Sequence, residues 1–229
     1  MRLLLISSSN VHGYGYLDHP EPAIREFLGA GRRVAFVPFA LHDHAAYTAK
    51  VRERLGRMDL DVVSIDDPDA DLAANLDGSD AVFVGGGNTF RLLKTLYDRE
   101  LLAPIRDRVR AGLPYLGASA GTVIAAPTMR TTNDMPIVEP PSLNALSLVT
   151  FQINAHYIDP DPHSTHKGET REERIREFLE ENAVPVVGLR EGSILRVEDG
   201  TSTLLGEKTA RIFRRGAEAV EVPPGKIDV

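Results

Sequence analysis

Several short stretches of this 229-residue chain carry side chains that could do chemistry together. Gly117-Ala118-Ser119-Ala120-Gly121 sets a serine in a run of small residues. A strand-like run precedes it and a helical pattern follows, which is the setting of a nucleophile elbow. Small neighbours let the backbone turn sharply and lift the serine Oγ clear of a sheet. The helix N-terminus behind it favours developing negative charge. The motif alone decides little, because ordinary glycine and serine usage produces GxSxG by chance in roughly one such chain in ten. The alternative is a glycine-rich turn with an N-capping serine. Gly85-Gly86-Gly87-Asn88-Thr89 also lies between a strand-like run and a helical one. Three glycines let backbone N–H groups converge on an anion or an oxyanion. The spacing is neither a dinucleotide fingerprint nor a Walker A loop. A tight turn in which Asn88 or Thr89 caps the helix is the simpler alternative.

A serine nucleophile needs a base. Of the seven histidines, His156 alone ends an apolar run, Phe151 to His156. A strand's carboxyl end is where it could meet Ser119. His12 and His19 flank a Gly/Tyr loop, and His163 and His166 lie in a polar loop. His42 and His44 alternate with Asp43, but that spacing in a loop, with no further ligand cluster, favours solvated side chains over a metal site. Two carboxylates compete to orient the base: Glu191, just after the strand-like Val186 to Leu189, and Asp134, in a long loop. The order Ser119, His156, Glu191 departs from the Ser–acid–His order of α/β-hydrolases. Thr170 and Glu173 form a capping-box pattern that puts Arg171 at the first helical position. A cation there is disfavoured by the helix dipole by roughly a few tenths of a kcal/mol. Arg171 is therefore either a solvated surface arginine or a guanidinium that grips a carboxylate. The residue pattern alone leaves both open.

The elements that must position these groups follow from periodicity. Arg2 to Ser7, Arg33 to Phe39, Asp61 to Ile65, Asp80 to Val84 and Leu113 to Gly117 read as short buried strands. Helical patterns lie between them at Ala23 to Leu28, Ala45 to Leu55 and Phe90 to Leu102. This alternation predicts a doubly wound α/β fold with a mostly parallel sheet. Thr131 to Leu148 reads as a loop, Phe151 to His156 as a strand and Arg171 to Glu181 as a helix. Short runs at 186–189, 193–197, 202–205, 211–214 and 219–222 predict a C-terminal antiparallel meander. Residues 1–229 are expected to form one domain.

Composition removes whole classes of function. Hydrophobic residues make up 42% and charged residues 26%, which excludes general disorder. There are no cysteines, so disulfides, thiolate metal sites and a cysteine nucleophile are excluded. The net charge of −7 speaks against a nucleic-acid partner. It also means that an anionic substrate requires a local basic group. No apolar run approaches the ~20 residues of a membrane helix, and Leu3 to Ile6 is too short for a signal segment. A cytoplasmic location away from membranes is expected.

Together these stretches resemble peptidase E, the α-aspartyl dipeptidase family of serine peptidases. The matching segments are Leu3 to Ser7, Phe36 to Ala40, Val84 to Phe90, Ser119 to Gly121, Arg130 to Val138, Gln152 to Asn154 and His166 to Arg171. The long loop and the HKGETR segment are far more specific than GxSxG. The resemblance implies a fold like that of class I glutamine amidotransferases, with serine in place of cysteine. It implies hydrolysis of dipeptides with an N-terminal aspartate (Asp-X), with no metal or cofactor. By resemblance Ser119 is the nucleophile, His156 the base, and Glu191 the third member, with Asp134 its rival. Gly87 and Ala120 resemble the oxyanion donors. Arg171, with Asn88 and Thr170 nearby in the matching motifs, looks like the reader of the aspartate. The alternatives are a relative acting on β-aspartyl, cyanophycin-type peptides and a non-catalytic protein that binds small acids. A homodimer is the expected assembly. Two positions depart from the family pattern. Ala118 stands where a bulkier aromatic residue is common, which implies a wider substrate range, and Arg190 replaces the proline of Pro-Glu-Gly. The loop 157–165 also carries Pro160 and Pro162, which makes its length and path near His156 the least defined part of the match.

Overall fold

The computed structural model describes residues 1–229 except 67–71, 162, 164, 166 and 167, and except the side chains of 72–74. Pro162, His166 and Lys167, named above, therefore lie outside the described residues. Five parallel strands form the centre: β1 (Arg2–Ile6), β2 (Arg33–Val37), β3 (Asp61–Ser64), β4 (Ala81–Val84) and β5 (Tyr115–Ala118). They pair in the order β1-β5-β4-β2-β3. These runs are rich in Val, Leu, Ile and Phe because both faces of the sheet are covered. The helices between them are α1 (Glu21–Leu28), α2 (His44–Gly56), α3 (Leu72–Asp77), α4 (Thr89–Asp98), α5 (Leu102–Arg110) and the short α6 (Ala120–Val123). Local chemistry starts several of them. Asp43 accepts from Ala46 N and caps α2, so His44 opens a helix instead of lying in a loop. Asn88 accepts from Arg91 N and caps α4.

Periodicity predicts one helix from Phe90 to Leu102, and the structure has two. Glu100 takes a left-handed φ of 55° between them. The Leu101 N–H bonds to Leu96 O and the Glu100 N–H to Tyr97 O, closing a Schellman turn over buried Leu96 and Leu101. No glycine marks this stop. The apolar contact outweighs the left-handed backbone cost, so composition could not reveal it.

The C-terminal strands are present, but their pairing divides them between two sheets. β8 (Ile194–Glu198), β9 (Thr201–Leu205) and β12 (Gly225–Ile227) extend the large sheet antiparallel beyond β1. β6 (Gln152–Tyr157) and β7 (Val186–Arg190) run parallel in a second sheet, with β10 (Ala210–Phe213) and β11 (Val220–Val222) added antiparallel. The helix α7 (Arg171–Glu181) connects β6 to β7. One core joins the sheets, since Leu3, Val84 and Leu195 share a buried cluster with Ile153, Ala155 and Leu189. Among the described residues no helix is long and apolar enough to cross a membrane.

Glu100→Gly tests the unmarked helix break. Relief of the left-handed strain is expected to outweigh the added chain entropy and stabilise the protein by about 0.5–1 kcal/mol, read from the urea midpoint.

Candidate active site

The elbow is built by close approach of two loops at the carboxyl ends of β4 and β5. Ser119 sits between β5 and α6 with φ 50° and ψ −108°, a conformation non-glycine residues rarely adopt. Its N–H donates to Ile6 O, and the Thr122 hydroxyl donates to Ile6 O and Gly117 O, so the turn is pinned from both sides. A side chain at Gly121 would stand 2.1 Å from Val84 O. Only glycine lets α6 press against the end of β4. Gly87, with φ 140°, follows that strand, and a Cβ there would meet Ala40 O at 2.5 Å. Among the described residues the N–H groups of Gly87 and Ala120 have no backbone or side-chain acceptor.

The histidine and the carboxylate that meet Ser119 come from the second sheet. The ladder between β6 and β7 slips between Ala155 and Tyr157, and His156, with φ 54°, is the bulged residue. A bulge re-aims a side chain that regular pairing would send elsewhere. His156 Nε2 lies 2.9 Å from Ser119 Oγ, and Nδ1 lies 2.8 Å from Glu191 Oε1. Glu191 arrives beside His156 because β6 and β7 are parallel neighbours. Arg190, which lacks the constraint of a proline, is held by its side chain instead. It forms a bidentate pair with Asp159 at 2.7 and 2.8 Å, and it bonds to Glu221 and to the carbonyl and hydroxyl of Thr209.

Asp134 does not reach His156. Its Oδ2 accepts from Thr89 N at 2.7 Å and from the Thr89 hydroxyl at 2.5 Å. Asn88 is committed to capping α4 and to donating to Met135 O. Thr170 caps α7 in the capping box that the sequence predicts, with Glu173 reciprocating. Arg171 is half-buried at the first position of α7, and among the described residues it has no ion-pair partner. Burial first, and then the nearby Arg174 cation, lower its pKa, with Asp134 opposing. A guanidinium in that setting favours an added carboxylate.

Ser119, Ala120, Asp134, His156, Arg171 and Glu191 line one cavity of about 350 Å³, whereas Gly87, Asn88 and Thr170 are not among its lining residues. Ala118 is fully buried in the core on the opposite face of the sheet and does not line it, so its small size does not enlarge this cavity. Two contributors escaped the sequence reading. The buried Ser7 hydroxyl donates to Leu189 O and accepts the His156 N–H, which binds the end of β1 to both strands of the relay. Asn133 donates to Ala155 O and accepts from Asn154, fixing the cavity wall. Both lie inside segments that carry the family resemblance, but residue type and spacing gave neither of them a role.

The profile of peptidase family S51 matches residues 3–205. Peptidase E of Streptomyces coelicolor is 60% identical over 225 residues, covering 98% of this chain and 92% of the relative. A probable alpha-aspartyl dipeptidase of Drosophila melanogaster is 47% identical over 226 residues, covering 97% and 93%. Among solved structures, a putative peptidase E protein from Listeria monocytogenes EGD-e superposes with a TM-score of 0.63 at 23% identity, covering 97% of this chain and 98% of the other. A peptidase from an acI-B1 Actinobacterium gives a TM-score of 0.73 at 14% identity, covering 100% and 96%. At such identities these two structures speak for the fold alone.

Gly121→Ala tests the packing of the elbow. The added methyl group would run into the Val84 backbone, with O at 2.1 Å and C at 2.8 Å, so destabilisation of at least about 2 kcal/mol is expected in urea unfolding.

Proposed function

The chain belongs to peptidase family S51, and on that premise we propose that it is a serine-type α-aspartyl dipeptidase that hydrolyses dipeptides beginning with aspartate. The observation that carries this reading is the hydrogen-bonded chain Ser119–His156–Glu191 in one cavity with the Arg171 guanidinium, which has no ion-pair partner among the described residues. The first three can activate a nucleophile, and the fourth suits a substrate carboxylate.

In the proposed mechanism Arg171 holds the aspartyl side chain. His156 Nε2 takes the Ser119 proton as Oγ attacks the peptide carbonyl carbon. The N–H groups of Gly87 and Ala120 receive the oxyanion, a role in which one donor is worth about 3 kcal/mol. His156 then returns the proton to the leaving amine, and the C–N bond breaks. Water, deprotonated by the same histidine, cleaves the aspartyl ester and frees aspartate. Glu191 keeps the His156 Nδ1–H in place and stabilises the imidazolium. Asp134 has a different task in this scheme. Both bonds from Thr89 fall on Oδ2, which leaves Oδ1 for the substrate's α-ammonium. Glu191, the other carboxylate lining the cavity, is occupied by His156. The chain works as one unit over 1–229 in this reading, because both sheets contribute to a single site; a cytoplasmic location and a homodimer are further parts of the proposal.

Ser119→Ala is expected to lower kcat on Asp-Leu by at least about ten-thousandfold. Arg171→Ala should lose roughly a hundredfold or more in kcat/KM and with it the preference for Asp-Leu over Leu-Leu. Full activity in either variant, or cleavage of β-linked Asp-Arg alone, would overturn the assignment. The two carboxylates separate kinetically. Glu191→Gln should cut kcat by roughly a thousandfold or more. Asp134→Asn should act chiefly on KM and erase the preference for Asp-Leu over N-acetyl-Asp-Leu.

A further inference from the structure

A second cavity, of about 520 Å³, adjoins the first and shares Asn133, Ile158 and Arg171 with it. Nothing in the mechanism above uses it. A dipeptide has two halves, and the first cavity accounts for one, the aspartyl group that becomes attached to Ser119. The second residue must extend past the scissile bond into adjoining space, and this is the adjoining cavity.

Its charges narrow what it can take. Arg174 lies three residues after Arg171 on α7, so the two side chains share a helix face. The Arg174 guanidinium is close enough to disfavour the charge on Arg171. Arg174 has one ion-pair partner among the described residues, a single contact to Glu169 at 3.4 Å with both side chains more than half exposed. Such a pair contributes little and exchanges easily. Three carboxylates share the lining, those of Asp159, Asp161 and Glu169. Asp159 holds Arg190 in a bidentate pair, and Asp161 accepts the His163 backbone N–H.

We propose that this second cavity is the subsite for the leaving amino acid, and that Arg174 binds its free α-carboxylate. The inference rests on the dipeptidase reading and deepens it. A free Asp-X dipeptide carries a side-chain carboxylate, an ammonium and a terminal carboxylate. Arg171 and Asp134, lining the cavity of Ser119, and Arg174, lining the adjoining one, offer the complementary cation, anion and cation. Arg174 thereby makes the enzyme sense where its substrate ends. A blocked or extended C-terminus leaves the guanidinium without its partner and favours the free dipeptide.

The test compares Asp-Leu, Asp-Leu-amide and Asp-Leu-Leu in the wild type, Arg174→Gln and Arg174→Lys. The wild type should favour Asp-Leu over the amide by roughly tenfold to a hundredfold in kcat/KM, the range for a charge-assisted contact. In Arg174→Gln that ratio should fall close to one, through a higher KM for Asp-Leu. Arg174→Lys should retain part of it. Arg174→Gln slowing Asp-Leu and its amide equally, or leaving the ratio intact, would overturn the subsite. Failure of the wild type to cleave any of the three would instead bring down the dipeptidase reading, and the subsite with it.

Discussion

Ser119 and His156, the proposed nucleophile and base, stand on different sheets, and the proposed chemistry depends on how those sheets are held together. Ser119 ends β5 of the large sheet, whereas His156 and Glu191 end β6 and β7 of the small one. The Ser7 hydroxyl spans the seam by donating to Leu189 O and accepting the His156 N–H. A buried hydroxyl with both functions satisfied is a stiff link, because loss of either partner leaves a polar group stranded. Around it the main chain is bent in two places. Ser119 and His156 both take left-handed φ values, each costing about 1–3 kcal/mol. The glycine contacts beneath the elbow and the bulge in β6 hold those conformations, so each Oγ and ring nitrogen points across the seam and not along its own strand.

Much of this was legible in the sequence because the large sheet is built from runs that alternate plainly with helices. The elbow, the glycine loop, the strand that ends at His156 and the capping box before Arg171 could all be located from residue type and spacing. The division of the C-terminal strands between two sheets could not. Antiparallel runs such as 194–198 and 210–213 carry the same apolar pattern whichever neighbour they join, and pairing is decided by long-range contacts. Glu100, which ends a helix without glycine, and Ser7, one of three consecutive serines, were illegible for a related reason. Their significance lies in what surrounds them and not in their type. Asp134 and Glu191 were rivals in the sequence because both stand near strand or loop ends. The parallel pairing of β6 with β7 separates them, bringing Glu191 to His156 and leaving Asp134 on Thr89.

In the proposed reading, electrostatics give the site its selectivity despite the chain's net charge of −7. An acidic protein repels an acidic ligand at a distance, so attraction has to be local and desolvated. Arg171 supplies it by being half-buried and unpaired among the described residues, which is costly until a carboxylate arrives. Arg190, by contrast, is tied down by Asp159 and Glu221.

The most direct test of the relay is to catch the covalent intermediate. Wild-type protein mixed with Asp-Leu, quenched in acid within milliseconds and measured intact by mass spectrometry, should gain the mass of one aspartyl group. Peptide mapping should locate that group on Ser119, and the Glu191→Gln variant should show far less of it at the same quench time. Turnover of Asp-Leu with the aspartyl group on another residue, or an undiminished burst in Glu191→Gln, would contradict a mechanism in which Glu191 and His156 activate Ser119.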